Sequence, residues 1–87
     1  MARVVLARRA RRELLGLDWP LIEAVLEALG LLERDPYAGH ELRGRLRGVR
    51  SLRIGSYQVI YQLADEGRTV RVAAIQHRST AYRDDPR

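Results

Sequence analysis

The stretch Val49-Arg50-Ser51-Leu52-Arg53-Ile54-Gly55-Ser56-Tyr57-Gln58-Val59-Ile60-Tyr61-Gln62-Leu63-Ala64 decides the fold. It is rich in β-branched and aromatic residues and alternates with a period of two. Val49 to Ile54 reads as one strand and Ser56 to Ala64 as the next. Gly55-Ser56 between them is a two-residue hairpin turn of a favoured kind. On the second strand Tyr57, Val59, Tyr61 and Leu63 share one face, and Gln58, Ile60, Gln62 and Ala64 the other. Tyr57 and Tyr61 therefore read as core. Asp65-Glu66-Gly67-Arg68 is a second turn. Thr69 to Gln76 is a third strand, with Val70, Val72 and Ala74 expected on one face and Ala73 and Ile75 on the other.

Upstream of this meander the period changes. Residues 3–6 read as a short opening strand. Ala7, Ala10, Leu14 and Leu17 then recur at helical spacing, which predicts a helix over about residues 7–15. Gly16-Leu17-Asp18 breaks it. Asp18 is the expected N-cap of a second helix, with Pro20 tolerated in its first turn. Leu21, Ile22, Val25, Leu26, Leu29 and Leu32 form its apolar stripe, and Asp35-Pro36 ends it. Residues 36–48, with Pro36, Gly39, Gly44 and Gly48, read as an irregular basic loop. The order is β-α-α-β-β-β, an α+β plan: a helical hairpin covers one face of a small, mostly antiparallel sheet. At 87 residues this is one compact domain spanning 1–87. Arg83 to Arg87 is expected to fray.

Charge sharpens the reading. The chain holds sixteen basic residues, all of them Arg, against eleven acids, for a net +5. The arginines are sorted. Arg3, Arg8, Arg9, Arg11 and Arg12 form one acid-free group, and Arg43, Arg45, Arg47, Arg50 and Arg53 a second. Residues 13–41 carry seven acids against Arg34 alone, so that segment is −6 and the remainder +11. Such sorting fits a basic surface for a polyanion.

Several chemistries are excluded. There is no Cys, hence no disulfide and no Cys-based metal site. With no Lys, a phosphate-binding GxxxxGK[ST] loop cannot be completed. No apolar run reaches the length of a membrane span, and charge interrupts the first residues too early for a signal peptide. The expected compartment is the cytoplasm, with no membrane partner.

What remains is Arg, His and Tyr. In a three-stranded meander the first and third strands run the same way. Arg53 is then level with His77 and Arg78, about 10 Å away across the intervening strand. Guanidinium groups fork onto phosphate oxygens. Imidazole exchanges a proton near neutrality, and the Tyr82 ring can stack on a base. Each residue also has a plainer reading. Arg53 could solubilise a sheet surface, His77 simply end a strand, Tyr82 anchor the tail, and Arg78 neutralise Asp84 or Asp85. Chemistry alone stops at a small basic domain that binds RNA or DNA.

Longer motifs go further. Leu42-Arg43-Gly44, then Gly48, then Ser51-Leu52-Arg53-Ile54-Gly55-Ser56-Tyr57-Gln58-Val59-Ile60-Tyr61, then Ile75-Gln76-His77-Arg78 and Tyr82, closely resemble the RelE/ParE superfamily of toxins from toxin–antitoxin pairs. The element order resembles that family across nearly the whole chain. The resemblance implies a RelE-like mRNA endoribonuclease that acts at the ribosome, inhibits translation and uses neither metal nor cofactor. It implies that Arg53, Arg78, His77 and Tyr82 form the catalytic group. Arg53 and Arg78 would stabilise phosphate charge, His77 would transfer a proton and Tyr82 would orient the nucleotide. Arg43, Arg45, Arg47, Arg50 and Gln58 would bind RNA; Gln58 stands where the family often has Arg. The implied partners are mRNA, the ribosome and a cognate antitoxin with an acidic C-terminal segment. The alternatives are a ParE-like toxin acting on DNA gyrase, and a non-catalytic module that binds RNA or a partner.

Overall fold

A computed structural model describes residues 1–42 and 48–79. Arg43, Arg45, Arg47 and Tyr82, expected at the site, lie outside the described residues, as does the 83–87 tail. The elements are β1 (Arg3–Leu6), α1 (Arg8–Leu15), α2 (Trp19–Arg34), β2 (His40–Glu41), β3 (Val49–Ile54), β4 (Tyr57–Ala64), a 3₁₀ turn (Asp65–Gly67) and β5 (Thr69–His77). The five strands lie in the order β1-β5-β4-β3-β2. Among the described strands only the β1–β5 pair is parallel. No helix among the described residues is long and apolar enough to cross a membrane.

The helical hairpin covers one sheet face, as the apolar stripes predict. Ala10 and Leu14 of α1 and Val25, Leu29 and Leu32 of α2 pack on Val59, Tyr61, Val70, Val72 and Ile75. Leu52 and Ile54 of β3 and Val4 and Leu6 of β1 extend the same layer. Burying each large apolar side chain is worth about 1.5–3 kcal/mol, so this layer carries most of the fold's stability. Gly55 takes φ 59°, the sign that a two-residue hairpin turn needs at its first central position. Asp18 occupies the N-cap of α2 with extended geometry, but its side chain makes no capping bond. Its carbonyl instead accepts from the Leu21 and Ile22 amides.

Two features depart from the sequence reading. The first is a bulge in β5. Ile60 pairs with Ala74 but Tyr61 pairs with Val72, so Ala73 is an extra residue. An extra residue shifts the alternation by one. Ile75 therefore joins the core, 2% exposed, and Ala74 goes to the opposite face, the reverse of the strict alternation expected. The bulge falls where β1 has ended, so among the described residues one edge of β5 lacks a strand. Glu13 of α1 fills the gap: its Oε1 accepts the Ile75 backbone N–H at 2.8 Å. Its Oε2 lies 3.2 Å from Arg9 Nε.

The second departure is β2. Residues expected in an irregular loop form a two-residue edge strand on β3, with His40 opposite Ser51 and Glu41 opposite Arg50. Side chains hold the approach to it. The Tyr61 hydroxyl donates to the Pro36 carbonyl at 2.9 Å and accepts from the Gly39 amide at 3.0 Å. Arg50 Nη2 donates to the Gly39 carbonyl at 2.7 Å and to the Tyr37 carbonyl at 3.1 Å. A Cβ on Gly39 would stand 2.7 Å from both the Ser51 carbonyl oxygen and the Tyr61 hydroxyl, so only glycine fits. A two-residue strand is too short for periodicity to reveal.

Candidate nucleic-acid interface

The sheet face opposite the helices is built by ladder pairing. Directly paired residues share a face, so the register lists its contents. One row is Arg53–Gln58–Gln76. Beside it runs His40–Ser51–Ile60–Ala74. A third row is Val49–Gln62–Arg71, with Val5 continuing it on β1. The last is Ala64–Thr69–Arg3. No Asp or Glu stands in these rows among the described residues. The face is thus cationic and rich in neutral amides, a surface suited to phosphates and bases.

The central row is ordered from beneath. Ser51, 5% exposed, donates its hydroxyl to Gln58 Oε1 at 2.6 Å. That bond uses the amide oxygen and turns the Gln58 NH₂ away from Ser51, available as a donor. Gln76 is buried at the far end of the row. Arg53 is exposed at the near end and makes no hydrogen bond or ion pair within the described residues. Its guanidinium is a donor fork without a chain partner there.

The expected site residues divide. Arg53 and Gln58 share the open face and are direct partners. Arg78 follows β5 at the same end of the sheet, its amide donating to the Ser56 carbonyl at 2.7 Å. That bond keeps the chain on the hairpin past the end of the ladder. Arg50 is on the helix-side face. Its guanidinium lies 5.3 Å from the Tyr37 ring centroid and is committed to loop carbonyls. Its expected place beside Arg53 on an RNA surface is therefore corrected: parity turns the two in opposite directions.

His77 is level with the Arg53 end of the sheet, as expected, but the register gives it Tyr57 as partner. Its ring meets Tyr57 edge-on, with centroids 5.2 Å apart and planes at 86°. The bulge at Ala73 causes this. It puts Gln76 on the open face and His77 on the opposite one. Moreover, the Ser79 amide donates to His77 Nδ1 at 3.2 Å. An amide N–H only donates, so the neutral ring carries its proton on Nε2.

Sequence reasoning missed Ser51, Gln76 and His40 as members of this face. Ser51 and Arg53 share parity on β3, so Ser51 was within reach. The other two depended on the bulge and on β2.

Known proteins share this architecture and sequence. The family model described as the ParE toxin of type II toxin–antitoxin system, parDE, matches residues 4–82. The chain is 41% identical over 76 residues to Toxin RelG of Mycobacterium tuberculosis, covering 85% of this chain and 87% of that protein. It is 34% identical over 85 residues to Toxin RelE of the same organism, covering 95% and 88%. Among solved structures it is similar to the toxin–antitoxin complex RelBE2 from M. tuberculosis. There the TM-score is 0.80 at 38% identity, over 88% of this chain and 98% of that one. The isolated E. coli RelE toxin shares the fold, with a TM-score of 0.78 at 22% identity over 97% and 94%. On the family match and these identities, the chain belongs to the ParE toxin family of type II toxin–antitoxin systems, and it is a toxin of the RelBE type.

Proposed function

We propose that the protein is a metal-independent endoribonuclease that cuts mRNA at the ribosome and so arrests translation. The observation that carries this reading is the open face, whose ladder rows hold no Asp or Glu among the described residues and on which Arg53 and Gln58 pair directly. A guanidinium beside an amide donor fits the non-bridging oxygens of one phosphodiester. In the reaction, the ribose 2′-oxygen attacks its own 3′-phosphorus. The bond from phosphorus to the 5′-oxygen breaks, leaving a 2′,3′-cyclic phosphate and a 5′-hydroxyl. Arg53 and Arg78 stabilise the charge that grows on the phosphate oxygens. Gln58, oriented by Ser51, adds a neutral donor. Tyr82 orients the nucleotide, and Arg43, Arg45 and Arg47 add charge for the RNA backbone.

We further propose that an antitoxin whose C-terminal segment is acidic and amphipathic folds onto this face. The relative in the M. tuberculosis RelBE2 structure is held in a toxin–antitoxin complex. Charge steering makes association fast at low salt and slower as salt rises.

Induction of the chain without an antitoxin tests the reading. Arrested translation with mRNA cuts inside codons is expected, and Arg78→Ala is expected to abolish both. Unimpaired growth would overturn it. The match to a ParE family model favours gyrase as a second target. A DNA-damage response with intact mRNA would decide for that alternative.

A further inference from the structure

We propose that His40 is the proton-accepting residue of this site. The inference rests on the nuclease reading and deepens it. A 2′-hydroxyl must lose its proton as it attacks, and arginine cannot take it up at neutral pH. The chain has no Lys and two His, so imidazole is the one side chain with an ordinary titration near neutrality. The ladder turns His77 away from Arg53 and puts its Nδ1 under the Ser79 amide. It turns His40 toward Arg53. His40 pairs with Ser51 on the open face, and Arg53 stands two residues further along the same strand. Such diagonal neighbours have Cα atoms about 7–8 Å apart, within reach of two long side chains meeting at one phosphate.

The way β2 is held supports the same conclusion. Both of its residues are exposed, so the strand buries little apolar surface. Yet its approach is fixed by the Tyr61 hydroxyl on the Gly39 amide, Arg50 on the Gly39 carbonyl, and a Gly39 that admits no Cβ. Beyond it, the Leu42 amide donates to the Val49 carbonyl at 2.8 Å. This framework positions His40. The ring itself makes no hydrogen bond within the described residues and is exposed.

In the step, the 2′-oxygen bonds to phosphorus and its proton passes to the neutral His40 ring, which becomes imidazolium. The electron pair of the broken bond leaves on the 5′-oxygen, which takes a proton from solvent water. The imidazolium returns its proton to solvent. Among the described residues, the one charged group facing His40 from β3 is Arg53. Ser51 and the β4 residues Gln58 and Ile60 are neutral. Glu41 and Arg50 lie on the other face.

The test uses initiated ribosomes on a defined mRNA, with toxin in excess, and primer extension to measure single-turnover cleavage. His40→Ala and His40→Gln are each expected to lower the cleavage rate about a hundredfold at pH 7, the usual share of a general base. Toxin binding to the ribosome should not change. In wild type the rate falls as acid protonates the base; in His40→Gln that acid limb is lost. Thermal unfolding of His40→Gln at the wild-type temperature excludes a merely structural effect. Wild-type rate and pH profile in the variants would overturn the inference and leave the nuclease reading standing, with His40 as a polar edge residue only. A slower His40→Gln that keeps the wild-type acid limb would also overturn it. No cleavage by wild type would overturn both.

Discussion

Arg50 and Arg53 stand three residues apart on β3 and face opposite ways. Arg50 points to the helix side, where it ties down the Tyr37 and Gly39 carbonyls and stacks on the Tyr37 ring. Its Nε is buried with no hydrogen-bond partner among the described residues. Arg53 points to the open face and spends no donor on the described chain. Identical residues in one basic cluster thus hold a loop in one case and stand on the open face in the other. Strand parity, not local charge density, separates the two uses.

Substitution can break this comparison. Arg53→Ala should lower RNA cleavage about 10²–10³-fold, the scale for removing one donor from developing charge. Its melting temperature should stay near wild type, because an exposed side chain without chain partners contributes little to stability. Arg50→Ala should act first on stability, and on cleavage only through the loop that carries β2. It leaves two carbonyls without their charged donor and should cost about 2–3 kcal/mol. For a domain of this size, each 1 kcal/mol lowers the melting temperature by about 4–8 °C. Denaturation and cleavage measured on both variants decide the matter. Equal losses of stability would erase the distinction between the two faces.

Gly39→Ala sharpens it from the loop side. The new Cβ would press on a strand carbonyl and on the Tyr61 hydroxyl, neither of which is the loose end of a flexible side chain. The expected cost is about 1–3 kcal/mol, with β2 pushed off β3. If β2 positions His40, cleavage should fall although no residue of the open face has changed. A variant that unfolds earlier yet cuts at the wild-type rate would show that the edge strand serves stability alone.

How far the sequence carried this picture depended on the length of each signal. The sixteen residues from Val49 to Ala64, rich in β-branched and aromatic residues about a Gly-Ser turn, were enough to place β3, the Gly55 turn and β4, and the stripe from Leu21 to Leu32 was enough to place α2. The two-residue turn sets the register of the hairpin, and the structure pairs Arg53 with Gln58 across it. Two small events escaped. One inserted residue, Ala73, reversed the faces of everything after it, and so moved Gln76 onto Arg53's row and His77 off that face. Periodicity cannot see a single insertion when the residues around it, Val72, Ala73, Ala74 and Ile75, are all apolar. Strand β2 escaped because a hydroxyl, a guanidinium and a glycine hold it, and none of these repeats with any period. Both failures fall on residues that decide which histidine stands on the open face.

The smallest expected effect tests what keeps the bulge in place. Past Val72, β5 has no strand on its outer edge among the described residues, and the Ile75 amide finds its acceptor in Glu13. That one carboxylate, from a helix 62 residues earlier in the chain, replaces a missing strand. Glu13→Gln keeps an acceptor but removes the charge, and with it the pull of Arg9 on the other oxygen. Charge-assisted bonds are roughly twice as strong as neutral ones, so the loss should be about 1 kcal/mol. Hydrogen exchange should locate it: the Ile75 amide should exchange faster in the variant, while those of Val59 and Tyr61 on the interior strand keep their protection. A uniform loss of protection would mean that Glu13 stabilises the whole fold. A loss confined to the last residues of β5, accompanied by slower cleavage, would show that α1 sets the face on which Gln76 stands.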